Sequence, residues 1–147
     1  SLELGNLIRR QTAMVAEIKA KRIAIEPNSC PIEAPLGLQI EFETSEAISN
    51  GRWDVKYLVD MTAQRHIIEL GQVGPVKYEK GTHTFSFSVP KVDVSGVKKS
   101  LLTNTGLLSA VLLDGSTKEE IVQINMVTQV VKKSDGSIMR TVFDPLA

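Results

Sequence analysis

Hydrophobic and polar residues alternate with a period of two along most of this chain, as half-buried β-strands require. Leu36, Leu38, Ile40 and Phe42 are separated by polar or small residues, and Trp53, Val55, Tyr57 and Val59 repeat the pattern. Residues 82–89 alternate most cleanly: His83, Phe85, Phe87 and Val89 form one row, and Thr82, Thr84, Ser86 and Ser88 the other. The segment Gly106–Asp114 breaks the rule. Leu108, Ala110 and Leu112 make one apolar row, while Leu107, Val111 and Leu113 make most of a second, with Ser109 between them. A strand with two apolar faces needs cover on both, or it leaves a sticky patch. That second row is where function is expected.

The remaining elements follow from turn signals. A first strand ends with Ile23 and Ile25 and is broken by Pro27-Asn-Ser-Cys-Pro31. Ser49-Asn-Gly-Arg52 reads as a turn, because Asn and Gly both tolerate positive φ. A weaker strand spans His66 to Gly71, and Gly71-Gln-Val-Gly74 reads as a turn before Pro75 rather than a dinucleotide fingerprint. Asp114-Gly-Ser-Thr-Lys118 leads into a strand over Ile121–Val131, and Ser134-Asp-Gly-Ser137 into a last one through Ile138, Arg140 and Val142. At the start, Leu4, Leu7, Ile8, Val15 and Ile18 recur at three- and four-residue spacing, with a gap at Gln11, which predicts a helix. The expected architecture is all-β: an N-terminal helical extension over residues 1–20, then an immunoglobulin-like antiparallel β-sandwich over residues 21–147. Nothing alternates strand with helix as a parallel sheet would need.

Composition narrows the chemistry. Seventeen basic side chains balance seventeen acidic ones in 147 residues, so no global field draws the chain to nucleic acid or acidic lipid. Cys30 is the only cysteine, which excludes an internal disulfide and fits a reducing compartment. It reads as a small buried or loop residue. No apolar run approaches the roughly 20 residues of a membrane span, and an intracellular, soluble protein is expected. Two histidines and one cysteine leave a zinc site without ligands at workable spacing. His83 reads as a hydrogen-bonded core residue, and His66, beside Arg65 and Glu69, as solvated. Glu41 and Glu43 lie on a solvated strand face. Lys77, Lys80, Lys98, Lys99, Lys132 and Lys133 are loop charges without the aromatic interleaving that nucleic-acid stacking needs. The sequence therefore predicts no catalytic residue, metal or cofactor, and points to a protein-binding module.

Trp53-Asp-Val-Lys-Tyr-Leu, Leu70-Gly-Gln-Val-Gly-Pro-Val76, Gly81-Thr-His-Thr-Phe-Ser-Phe87 and the span Gly106 to Val127 follow in an order that resembles the anti-silencing-function family of histone chaperones. The resemblance covers roughly Ala20 to Val131. It implies an immunoglobulin-like fold whose concave sheet face binds the C-terminal helix of histone H3 through a small apolar patch. The patch positions correspond to Leu58, Ser109 and Val111, with a supporting arginine at Gln123 and a tyrosine at Val127. Leu58 and Val111 keep the apolar character. Ser109 replaces a valine, Gln123 lacks the charge, Val127 lacks the ring, and the family's acidic character is missing.

Periodicity reaches the same face without the resemblance. If Val122, Ile124, Met126 and Val130 fill the core, Gln123, Asn125 and Val127 point away from it, as Leu58 points away from the row of Trp53. The candidate partner face is thus Leu58, Leu107, Ser109, Val111, Leu113, Gln123 and Val127, a mixed surface suited to a partner helix or strand. Three readings follow. The first is an adaptor or assembly subunit binding a non-histone protein, cytoplasmic or ciliary. The second is a nuclear chaperone of H3–H4. The third is a lipid or small-molecule carrier using a cavity between the sheets. An N-terminal helix or a second copy covering the face is the competing structural explanation.

Overall fold

The computed structural model describes residues 16–62 and 66–147. Among the described residues nine strands form in chain order: β1 (Ile18–Glu26), β2 (Cys30–Pro31), β3 (Leu36–Thr44), β4 (Ile48–Val59), β5 (His66–Tyr78), β6 (Gly81–Val89), β7 (Gly106–Asp114), β8 (Glu120–Lys132) and β9 (Ile138–Val142). They make two antiparallel sheets, a three-stranded one in the order β1-β3-β6 and a six-stranded one in the order β2-β9-β8-β7-β4-β5. A single helical turn, Lys99–Leu102, precedes β7.

The apolar rows read from the sequence meet between the sheets. Phe42 and Phe85 of the smaller sheet close on Trp53 of the larger, with ring centroids 5.5 and 4.5 Å away, and Phe42 also meets Tyr78 at 5.1 Å. Leu108, Ala110 and Leu112 of β7 are fully enclosed in this core, as their row predicts. His83, expected as a hydrogen-bonded core residue, is instead half-buried at the core's margin against Tyr78 and Phe42, where it does hydrogen-bond the carbonyl of Glu79.

Several boundaries differ from expectation, each for a packing reason. The helix expected over residues 1–20 cannot reach Ala20, because Ile18 begins β1 and pairs with Thr44. The remainder of that segment, residues 1–15, lies outside the described residues. Asn50 and Gly51 make no turn and belong to β4, where the register shifts around Gly51. A Cβ on Gly51 would stand 2.9 Å from the Tyr78 ring, so this glycine serves close packing. The turn expected at Gly71–Gly74 is likewise absorbed into β5. Gly74 there has φ +115°, and a Cβ would crowd the Gly51 carbonyl, so only glycine lets β5 continue past this point.

The break at Pro27–Pro31 becomes a strap that crosses from β1 to the outer edge of β9. Cys30 pairs with Arg140, Ile32 N–H donates to the Ile138 carbonyl at 2.9 Å, and the Asn28 carboxamide takes the place of a strand residue. Asn28 Nδ2 donates to the Val142 carbonyl and its Oδ1 accepts from Val142 N–H, both at 2.8 Å. Losing both bonds in Asn28→Ala is expected to cost about 1–2 kcal/mol, read as a lower urea midpoint at unchanged slope.

Tyr57 supplies a pH signature. Burial pushes its phenol up to about 12, partly offset by the Arg140 guanidinium. The folded protein therefore keeps this proton where the unfolded chain, at about pH 10, has lost it. The contribution is complete below the unfolded value and disappears as pH rises through the folded one. Urea titrations should show about 2 kcal/mol lost between these limits, and Tyr57→Phe should remove that part of the slope. An unchanged slope in Tyr57→Phe would assign the loss to another group.

Candidate protein-binding face

The alternation of β4, β7 and β8 sends one row of each strand into the core and the other onto the outer face of the large sheet. Because β7 lies between β4 and β8, these outer rows fall into register. Leu58 stands opposite Leu107, which stands opposite Val127. Lys56, Ser109 and Asn125 form the next line, then Asp54, Val111 and Gln123, and Arg52 stands opposite Leu113. All seven residues singled out in the sequence therefore share one face.

Two further residues extend it. Ile67 of β5 pairs with Leu58, and Phe143 donates its N–H to the Val127 carbonyl at 2.9 Å just past β9. An apolar line thus runs across the strands from Ile67 through Leu58, Leu107 and Val127 to Phe143. Its outer members are open to solvent, Ile67 at 53%, Val127 at 43% and Phe143 at 49%. Sequence reasoning missed Ile67 and Phe143, since one depends on the β4–β5 register and the other lies past the last recognised strand.

The centre of the face behaves differently. Ser109, Val111 and Leu113 are buried, yet none belongs to the cluster that fills the space between the sheets. The Ser109 hydroxyl donates to Asn125 Oδ1 at 3.0 Å, and Gln123 Nε2 donates to Asn125 Oδ1 at 2.9 Å and Ser109 Oγ at 3.2 Å. This trio satisfies a polar group that would otherwise be costly among apolar neighbours. The nearby charges are also balanced: Arg52 and Asp54 pair at 3.1 Å, and Lys56 faces Glu69 across β4 and β5.

Between the sheets there is little free space. The void lined by Leu36, Tyr57, Leu70, Leu108, Thr128 and Val142 has about 10 Å³ for a guest, close to a single water. A lipid does not fit it in this form. Among the described residues, no group of three or more His, Cys, Asp or Glu side chains is placed to hold a metal ion, and no helix is long and apolar enough to cross a membrane.

Residues 15–137, which include every strand of this face and most of the sandwich, match the family described as ASF1 like histone chaperone. The chain belongs to this family. Among curated relatives, the histone chaperone ASF1B of Mus musculus is 29% identical over 102 residues, covering 62% of this chain and 50% of that protein. Histone chaperone ASF1B of Homo sapiens is 28% identical over 102 residues with the same coverage. The chain spans about half the length of these curated ASF1 relatives. A likeness of fold alone extends to the crystal structure of a Bacteroides uniformis β-glucuronidase, with TM-score 0.52 and 15% identity over 73% of this chain and 12% of that one. The ASF1 description is that of a chaperone, a protein that binds other proteins.

Proposed function

We propose that this ASF1-like chain is a non-catalytic protein-binding module, an immunoglobulin-like sandwich that holds a helix of a non-histone protein on the outer face of β4, β7 and β8. The observation that carries the reading is the apolar line from Leu58 through Leu107 to Val127 beside the neutral Ser109–Gln123–Asn125 trio. An amphipathic helix laid on this face buries an apolar seam and meets a polar centre that needs no charged partner. Histones are strongly basic and reward negative potential, whereas this face pairs its own charges and the chain is neutral overall.

Family membership favours a second reading, a nuclear chaperone of H3–H4, supported by the apolar residues kept at Leu58 and Val111. The two readings part in one titration. Micromolar or tighter binding of an H3–H4 dimer at physiological salt supports the histone reading and overturns the adaptor. Absence of such binding removes the histone reading.

Proximity labelling in the native cell identifies the partner in either case. Its affinity is expected to fall about a hundredfold in Val111→Arg or Val127→Glu, with thermal unfolding of Val127→Glu unchanged. Undiminished affinity in both variants would move the site off this face.

A further inference from the structure

The outer face of the large sheet has a direction and a chemistry that narrow what it can hold. Its apolar line crosses five strand positions, from Ile67 in β5 through Leu58, Leu107 and Val127 to Phe143 just past β9. Four spacings of about 4.8 Å make that line about 19 Å long. A helix laid along it, rising about 1.5 Å per residue, engages about 13 residues. Side chains three and four positions apart on one helix face then meet the line.

One row further along the strands the surface turns polar. Glu69, Lys56, Ser109 and Asn125 stand opposite one another across β5, β4, β7 and β8. Glu69 and Lys56 carry opposite charges, so this end of the row is balanced. The other end is neutral and only partly self-satisfied. The Ser109 hydroxyl donates to Asn125 Oδ1 at 3.0 Å, and Gln123 Nε2 donates to Asn125 Oδ1 and Ser109 Oγ. Two groups are left over: Gln123 Oε1, an acceptor, and Asn125 Nδ2, a donor. Neither has a hydrogen-bond partner among the described residues. Both side chains are exposed, so water serves these groups in the free protein.

A docked helix takes that water away. An apolar residue over the trio would leave both groups unpaired, which costs affinity. A lysine would satisfy the acceptor alone, and a carboxylate the donor alone. A carboxamide carries an acceptor and donors on neighbouring atoms and answers both.

We propose that the helix received by this face runs across the strands along the line from Ile67 to Phe143 and presents an Asn or Gln, on its flank over β7 and β8, to Gln123 Oε1 and Asn125 Nδ2. The inference rests on the reading of this face as the seat of a partner helix, and it adds the residue by which that helix is selected. Asn125 is then a specificity-determining residue, because its Nδ2 rejects a cationic side chain.

The probe is a library of helical peptides of about sixteen residues, with Leu fixed at i, i+4, i+7 and i+11 and both flanks randomised, selected on the full chain. Enriched peptides are expected to carry Asn or Gln at one flank position and to shift the amide signals of Leu107, Asn125 and Val127. Asn125→Asp keeps the oxygen that Ser109 and Gln123 bond and removes only the free donor. It should weaken the enriched peptides about tenfold and turn the preferred flank residue to Lys or Arg. Suppose the peptides bind wild type and lose affinity in Val127→Glu, yet no flank position favours a carboxamide or Asn125→Asp binds them as wild type. The carboxamide inference is then overturned while the face remains the seat of a helix. If no peptide is enriched, or Val127→Glu binds the enriched set as wild type, the reading of the face fails and the inference falls with it.

Discussion

Arg140→Ala is expected to lower the unfolding free energy by about 3–5 kcal/mol and the melting temperature by roughly 10 °C. Arg140 belongs to the inward row of β9 and is 3% exposed, yet among the described residues no carboxylate lies within ion-pair distance of it. Its guanidinium instead ties down the strap. Nη1 donates to the carbonyls of Pro31, Ile32 and Ala34 at 3.3, 2.5 and 3.1 Å, and Nη2 donates to Pro35 at 2.7 Å. Burial lowers the pKa of the group from its ordinary value, with the neighbouring Cys30 and Tyr57 opposing that shift, but the cation persists at neutral pH. Alanine would strand the carbonyls of Ile32, Ala34 and Pro35, leave that of Pro31 to the Ala34 N–H alone, and open a hole at the end of the core. Lysine should recover only part of the loss, because a single ammonium cannot stand at both the Nη1 and the Nη2 positions and leaves either the Pro35 carbonyl or the other three unmet. Urea denaturation measures the effect, and hydrogen exchange at Ile32 and Val142 should rise in step. A loss below about 1 kcal/mol would show that water satisfies the carbonyls as well as the guanidinium does.

Gly106→Ala is expected to cost about 3 kcal/mol, from overpacking rather than from backbone strain. An added Cβ would collide with the Tyr57 hydroxyl and ring, with Cε1 at 2.8 Å. Tyr57 lies in the adjacent strand β4, paired opposite Leu108, and cannot swing away without vacating the core. The hydroxyl is the nearest atom, so Tyr57→Phe in the Gly106→Ala background should recover about 1 kcal/mol of the loss. Additive effects of the two substitutions would sink this explanation.

Much of this fold is legible in the chain because its strands are half-buried. The alternations in β3, β4 and β6 place Phe42, Trp53 and Phe85 in contact, and the double apolar row of β7 marks the strand that sits centrally in the large sheet. The seven residues of the candidate face are brought together by a register that period-two reasoning anticipates. What escaped the sequence depends on partners distant along the chain. Asn50-Gly51 and Gly71–Gly74 carry turn chemistry, but glycine is also the residue that admits a neighbouring Tyr78 ring or strand backbone. The strap looks like a loop because its hydrogen bonds go to β9, more than a hundred residues away. Arg140 sits at an inward position that ordinarily excludes a cation, and only four carbonyls brought to it by the fold make that tolerable.

The edge of β9 rests on an unusual closure. A strand edge with open N–H and C=O groups is a template on which a second molecule can pair. Here the last open position, Val142, is sealed by one side-chain amide, that of Asn28, rather than by more strand. The carboxamide donates and accepts there at once, from two different atoms. Conversion of Asn28 to aspartate, by mutation or by slow hydrolysis of the amide, would set a carboxylate against the Val142 carbonyl and unseal the edge. The closure of this strand edge thus hangs on the chemical integrity of one amide nitrogen.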